Sequence, residues 1–378
     1  MWKRLSIPAL LIAANLSAVA QKPGDHIRRV GDEWIRDING TLPASRVVRV
    51  RSTAGAIRVQ GGRQLMITYV IREHVRANSE TAALAEFKKL KFSSFSASGV
   101  AILRADCEMS RQGYIDFEVH IPEQTALVKM DTQGGAVSAN NVAGRVEANT
   151  GGGNIQLDQI GGGISVSSGG GGIDIGRVGN DVNAATDAGN IHVGSAAGKV
   201  TATSGGGNLN IGTAKVMTLS TGAGSINVTK CEGGVRAETG GGTVDVTDAG
   251  GPAQIETSGG KIRVGVAHGG LHAITGGGPI VATLAPGIQS LTDSRLETSD
   301  GDIILYVPDG LGVSIRATVD TARGDGIRTD FRELKILKSE AGLGPREMYA
   351  EGDLNGGGPV LHVHTTTGRI EVKRISKD

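Results

Sequence analysis

Along most of the chain, small and aliphatic residues alternate with polar ones for five or six positions and then stop at glycine. In Val146-Glu147-Ala148-Asn149-Thr150 the alternation puts Val146, Ala148 and Thr150 on one face of an extended segment and Glu147 and Asn149 on the other. Glycines 151–153 make a bend, and glycine tolerates positive φ there at little cost. Ile155 and Leu157 then resume the inward face, with Asn154, Gln156 and Asp158 outside. A turn at glycines 161–163 leads to Ile164 and Val166, and Ser168 opens the next unit. Each unit is thus predicted to be two short strands and two glycine-rich corners.

The unit recurs. A Ser or Thr, followed by Gly three positions on and an aliphatic at plus five, starts at Ser52, Thr132, Thr150, Ser168, Thr186, Ser204, Thr221, Thr239, Thr257, Thr275, Thr298 and Thr365. From Thr132 to Thr275 the spacing is 18 residues with a single 17. A short fixed period of this kind predicts an all-β parallel solenoid (a β-helix), because one coil cannot bury its apolar side alone and stacked coils can. The inward Ser and Thr are expected to form a ladder whose hydroxyls satisfy corner backbone groups. The composition fits a thin core: 60 glycines, and no Phe, Trp or Tyr between Phe117 and Tyr306.

Two stretches break the period. Residues 61–127 read as strands at 65–75, 100–104 and 114–121, with a short helix over 79–91 carrying Ala83, Leu84 and Phe87 on one side. Residues 309–359 hold a further strand at 313–319. Matching units lie beyond both, so they read as insertions that cover the open ends of the stack, where unpaired edges would invite aggregation. The organisation expected is a signal peptide at 1–20, a strand region with the first copy and its insertion at 21–127, the repeat array at 128–308, and a closing region at 309–378. Residues 21–378 are expected to form one continuous domain.

The beginning of the chain has the form of a secretory signal. A basic start (Lys3, Arg4) precedes an apolar run over residues 5–16 and the small-x-small site Ala18-Val19-Ala20. The run is too short for a membrane span, and no later stretch is apolar enough for one. The expectation is export, to the periplasm, the cell surface or the medium. Removing Lys3 and Arg4 takes the formal charge from +1 to −1. Without a basic block in the sequence, nucleic acid is not an expected partner. Cys107 and Cys231 fall in different parts of the repeat scheme and read as two thiols rather than a bridge.

With these features together, the chain resembles the DUF4097 family of candidate bacterial adhesins over roughly residues 45–375. The segments that carry the resemblance are "STAGAIRV", "FEVHIPEQTALVKMDTQGGAV", "TSDGDIILYVP" and the closing "TTTGRIEV". It implies β-strand repeats, export and adhesion, and supplies no catalytic residues to carry over.

Against that background each candidate chemistry lacks a part. Calcium-binding nonapeptide rolls need Asp in each turn, and "GGNIQLDQI" and "GGTVDVTDA" place an aliphatic in that slot. A carbohydrate-cleaving β-helix needs converging carboxylates. Asp245 with Asp248 and Asp300 with Asp302 are the nearest pairs, and both read as solvated corners. His362 and His364 share a strand face and His268 and His272 flank a corner, with no third ligand in view. An ice-binding face needs outward Thr-x-Thr, whereas the ladder Thr fall inward. No catalytic, cofactor-binding or metal-binding residue is therefore singled out, and no cofactor is expected. The reading is an exported, non-enzymatic adhesin-like or scaffold protein whose partner is an envelope or extracellular protein or glycan. Contact is expected at the outward positions Asn154, Gln156, Glu147, Arg236 and Glu238 and at the insertion loops. The alternatives are a carbohydrate-active β-helix enzyme and an envelope-stress accessory that binds another exported protein.

Overall fold

A computed structural model describes residues 27–110, 112–286, 291–322, 324–338 and 346–375. The signal peptide expected at 1–20 lies outside the described residues. The described chain is nearly all β, with one helix and two open sheets of seventeen strands each, mostly parallel, an arrangement consistent with a β-solenoid.

Successive units stack in register. Arg145–Thr150 is the front strand of one coil and Ile155–Ile160 its back strand; Ile164–Ser168 and Ile173–Val178 form the next. Val146 lies beside Ile164 and Thr150 beside Ser168, while Ile155 lies beside Ile173. Front strands build one sheet and back strands the other, and the aliphatics of both meet in a single continuous core. In the array, the eight back strands from Val137–Val142 to Ile262–Ala267 also turn a third residue inward, which the alternation alone does not give. Val142, Ile160, Val178, Ala196, Ala214, Cys231, Ala249 and Ala267 form this buried column. Just before Val142 and Ile160, Asn141 and Gln159 adopt φ of +54°, which rotates the next side chain inward.

The hydroxyl ladder is present. Thr150 Oγ1 donates to Gly135 O of the preceding coil (2.9 Å) and accepts from Gly153 N of its own corner (3.0 Å). Ser168, Thr186, Ser204, Thr221, Thr239, Thr257 and Thr275 repeat this double bond. Two backbone groups per corner that would otherwise be buried and unpaired are thereby satisfied.

The reason for glycine at these corners differs from the expectation. Among the plus-three glycines only Gly55 has a left-handed φ, of +113°. The others are required by close approach: a Cβ on Gly153 would stand 2.0 Å from Gly135 O, and one on Gly207 2.1 Å from Gly189 O. The middle glycines, such as Gly152 and Gly170, face open space.

The two interruptions do more than cover the ends, because each contributes an outermost coil. Val100–Asp106 and Gly113–Pro122 stack outside the Ser52 coil, whose other side receives the Thr132 coil. At the far end Val313–Ala322 and Ile327–Thr329 stack outside the Thr365 coil, which returns to sit against the Thr298 coil. Antiparallel strands then finish each end. Glu33–Pro43 and Met66–Arg76 extend the back sheet, and Lys91–Ala97 extends the front sheet. Arg346–Leu354 and Lys335–Lys338 extend the front sheet at the other end.

The helix Glu80–Phe87 is shorter than expected, since residues 91–97 pair as a strand. It buries Ala83 and Phe87 and leaves Leu84 exposed, contrary to the expected face. Rings gather at this wider end, where Phe92 lies 5.8 Å from Tyr69 and 6.2 Å from Phe117 between centroids.

Candidate functional site

The outward residues of the two sheets form columns, because strands stack without offset. On the front sheet one column runs Lys129, Glu147, Ser165, Asn183, Thr201, Thr218, Arg236, Gln254, His272 and Arg295. Its neighbour two residues on runs Asp131, Asn149, Ser167, Ala185, Thr203, Ser220, Glu238, Glu256, Ile274 and Glu297. Of the contact positions expected from sequence, Glu147, Arg236 and Glu238 stand on the outer front face, and Gln156 stands on the outer back face with Asn154 at its edge.

These columns largely neutralise themselves. Glu147 meets Lys129 (2.6 Å) and Arg145 (3.3 Å), which hold its carboxyl below the usual range, Lys129 foremost. Arg236 pairs with Glu238, Arg295 with Glu297 (2.6 Å), and Arg263 with Asp245 (3.5 Å). Asn154 accepts from Gly172 N (2.9 Å), so it tethers one coil to the next. An outward Thr-x-Thr does occur at Thr201 and Thr203, beside Thr218 and Ser220, although the ladder Thr themselves point inward as expected.

Most of the carboxylates and histidines considered for catalysis or metal binding are engaged by other groups. Asp248 faces Lys230 (3.9 Å) and His268 (3.4 Å), while Asp245 is taken by Arg263. Asp300 accepts from Thr367 Oγ1 (2.7 Å) and Asp302 from Arg369 N (2.8 Å). His364 sits between Asp320 (3.0 Å) and Glu297 (3.5 Å), His362 is exposed, and His272 stands on another strand of the same face. Among the described residues no group of His, Cys, Asp and Glu is placed to hold a metal ion. A shallow groove of about 380 Å³ is lined by Ser220, Glu238, Glu256, Ser258 and Ile274, and its carboxylates are engaged by Arg236 and Gln254.

The thiols cannot meet within the chain. Cys107 lies against the Ser52 corner (Sγ to Ala54 O, 3.9 Å), and Cys231 closes the back strand after Thr221. The Thr132, Thr150, Ser168, Thr186 and Ser204 coils lie between, so at about 4.8 Å per coil they are roughly 29 Å apart. Burial pushes both thiols up.

The densest polar chemistry lies away from the repeat motifs, on the N-terminal end of the back sheet. His74 Nδ1 is 3.2 Å from Glu33 and its Nε2 3.5 Å from Asp116. The ring stacks on Tyr114 at 4.4 Å, and the Tyr114 hydroxyl donates to Glu33 (3.1 Å). Burial first, then this bond to Glu33, pushes the phenol up to about 12. On the inward side Glu73 receives Arg36 at 2.6 Å, yet burial outweighs the pair and raises its pKa. These groups come from strands far apart in sequence, so no motif announces them, and their bonds tie strands together.

No family model matches the chain, and no curated protein matches it. Among solved structures it is similar to a candidate cell adhesion protein from Clostridium sporogenes ATCC 15579, at 8% identity and a TM-score of 0.20, over 91% of this chain and 100% of that one. It is also similar to a candidate adhesin from Bacteroides fragilis NCTC 9343, at 10% identity and a TM-score of 0.24, over 90% of this chain and 97% of that one. At such scores the likeness carries no argument. The DUF4097 resemblance therefore rests on sequence segments such as "STAGAIRV" and "TTTGRIEV".

Proposed function

We propose that this chain is an exported, non-enzymatic β-solenoid that works as an adhesin-like or scaffold protein. The observation that supports the reading is the pair of outer faces, on which side chains stand in columns on a backbone locked coil to coil by the hydroxyl ladder. Such a surface binds without having to order itself, so little entropy opposes the contact. The columns are polar and mixed in charge, which suits a specific, wet interface with a protein or glycan.

Protease shaving of intact cells, followed by blotting of cell and medium fractions, tests it. Loss of the cell-bound band with the envelope intact, together with weaker attachment of a deletion strain, is the expected result. Full protection until the envelope is broken would overturn the adhesin reading and redirect the search to partners inside the envelope.

A further inference from the structure

Lys129, Arg236, Arg263 and Arg295 each meet a carboxylate, but at the N-terminal end of the front sheet the self-neutralising pattern fails. Arg51 stands directly beside Arg104 on the neighbouring parallel strand, and Arg49 stands beside Lys129 on the other side. Like charges directly opposite one another are unfavourable. Among the described residues, the side chains of Arg49, Arg51 and Arg104 have neither hydrogen bond nor ion pair, and all three are exposed.

The carboxylates nearby offset them only in part. Asp131 lies beside Arg51 in register without forming an ion pair with it and accepts from Asn149 (2.8 Å), and Glu147 is held by Lys129 and Arg145, so Arg49, Arg51, Arg104, Lys129 and Arg145 outnumber these two carboxylates. Asp106 lies at the end of the same face, opposite Lys91. The sequence has no basic block because the cluster is assembled from separate strands, 47–52 and 100–106. Next to it Phe95 is 48% exposed and faces half-buried Ile102 across the strand pair.

We infer that this patch is a binding site for an anionic polysaccharide, carboxylated or sulfated. Guanidinium groups pair with both anions through two parallel hydrogen bonds. Across the strands they are spaced about 4.8 Å apart and along Val47–Ser52 about 7 Å, so successive acidic groups of one chain can be met together. Phe95 offers a flat apolar ring beside them for the C–H face of a sugar.

The geometry favours a ligand lying over the face. A peptide strand added to the outer edge of Lys91–Ala97 would be two strand spacings from Arg104, about 10 Å, and three from Arg51. It would leave the arginines unmet. The inference rests on the binding-surface reading and names its ligand class.

Polygalacturonate, dextran sulfate, neutral dextran and polyglutamate are the probes, measured by affinity electrophoresis or calorimetry with the full mature chain. The protein should bind one or both acidic glycans and not neutral dextran, more weakly as salt rises. Arg51→Gln and Arg104→Gln should each lose on the order of ten-fold in affinity, the fold-change of one charge-assisted hydrogen bond. Phe95→Ser should weaken the glycans and leave any binding of polyglutamate unchanged. Arg263→Gln, a paired arginine on the other sheet, should leave affinity unchanged, and circular dichroism confirms that each variant folds.

Which acidic glycan binds separates carboxylate from sulfate recognition. Failure to bind either at low salt overturns the inference, as does unaltered affinity in an Arg49→Gln/Arg51→Gln/Arg104→Gln variant. Binding of polyglutamate equal to the glycans, with no effect of Phe95→Ser, overturns it in favour of an acidic polypeptide. A protein that shaving places on the surface but that binds neither glycan sinks this inference alone. Protection from shaving sinks the adhesin reading and leaves the glycan binding standing.

Discussion

Replacing Gly171 by alanine tests why glycine occupies the third position after every ladder residue. The new Cβ would stand 2.0 Å from Gly153 O, whereas real contacts of this kind begin above 3.0 Å. The two coils must therefore part locally by about an ångström or the corner must buckle. Either movement pulls on Ser168, whose hydroxyl donates to that same Gly153 O (2.9 Å) and accepts from Gly171 N (2.9 Å). Overpacking costs ~1–3 kcal/mol and one lost hydrogen bond ~1 kcal/mol, so the expected destabilisation is about 2–4 kcal/mol. Gly170→Ala, one residue earlier, places its Cβ where nothing lies within 4 Å and should shift stability by no more than ~0.5 kcal/mol. Urea unfolding followed by far-ultraviolet circular dichroism gives both midpoints. Equal midpoints for the two variants would refute the close-approach argument and return the explanation to backbone conformation.

Thr239→Val removes the hydroxyl that donates to Gly224 O (2.7 Å) and accepts from Gly242 N (3.2 Å), and should cost ~1–3 kcal/mol. Thr239→Ser should restore most of that loss in the same urea assay, and if it does not, the methyl rather than the hydroxyl matters. Ile173→Asp puts an unpaired charge into the core at a side chain 2% exposed and should abolish cooperative folding, while Asp174→Asn, pointing outward next door, should leave the midpoint unchanged. In alkaline titration at 295 nm, the transition lost in Tyr114→Phe should lie near 12, and Glu33→Gln should move it down. Because the folded phenol titrates above its ordinary value of 10, the stability it contributes is fully present below pH 10 and is lost as pH rises through 12. A Tyr114 transition near 10 would show that the site is open to water.

The period and its consequences were legible in the sequence. Side-chain alternation has period two, so Val146, Ala148, Ile155 and Leu157 could be placed inward, and the Ser and Thr ladder followed from its place on that face. The third inward column escaped because it breaks the period of two: at Val142 and Ile160 the shift comes from a left-handed residue just before, Asn141 and Gln159, and the other six members follow residues without positive φ, so no shared residue type marks it. The steric role of the plus-three glycines escaped because it belongs to two coils at once. Both ends were only partly legible. The strands 65–75, 100–104, 114–121 and 313–319 were visible as alternating runs, but which coil each joins depends on pairing over long separations. Nothing local says that 100–122 stacks outside the Ser52 coil. The arginine cluster and the Glu33, His74, Tyr114 and Asp116 group were hidden for the same reason.

The out-of-order stacking links these ends to binding. In a simple stack the first coil in sequence is also the outermost, and its edge frays readily because only one neighbour holds it. Here the outermost coil at each end is made from an inserted segment: at the N-terminal end it lies outside the Ser52 coil and the chain then returns to the other side of that coil, and at the C-terminal end the returning Thr365 coil is placed directly beneath it. The terminal coil is thus joined covalently at both its ends to structure already in the stack, and antiparallel strands pack against it. The Arg49, Arg51 and Arg104 patch lies across the Ser52 coil and the coil outside it, where a plain stack would be softest. A cluster with an excess of like charge favours separation of the strands that carry it. The aromatic packing of Phe87, Phe92, Tyr69 and Phe117 beneath that end opposes the separation, so the charge can be held ready for a ligand without opening the stack.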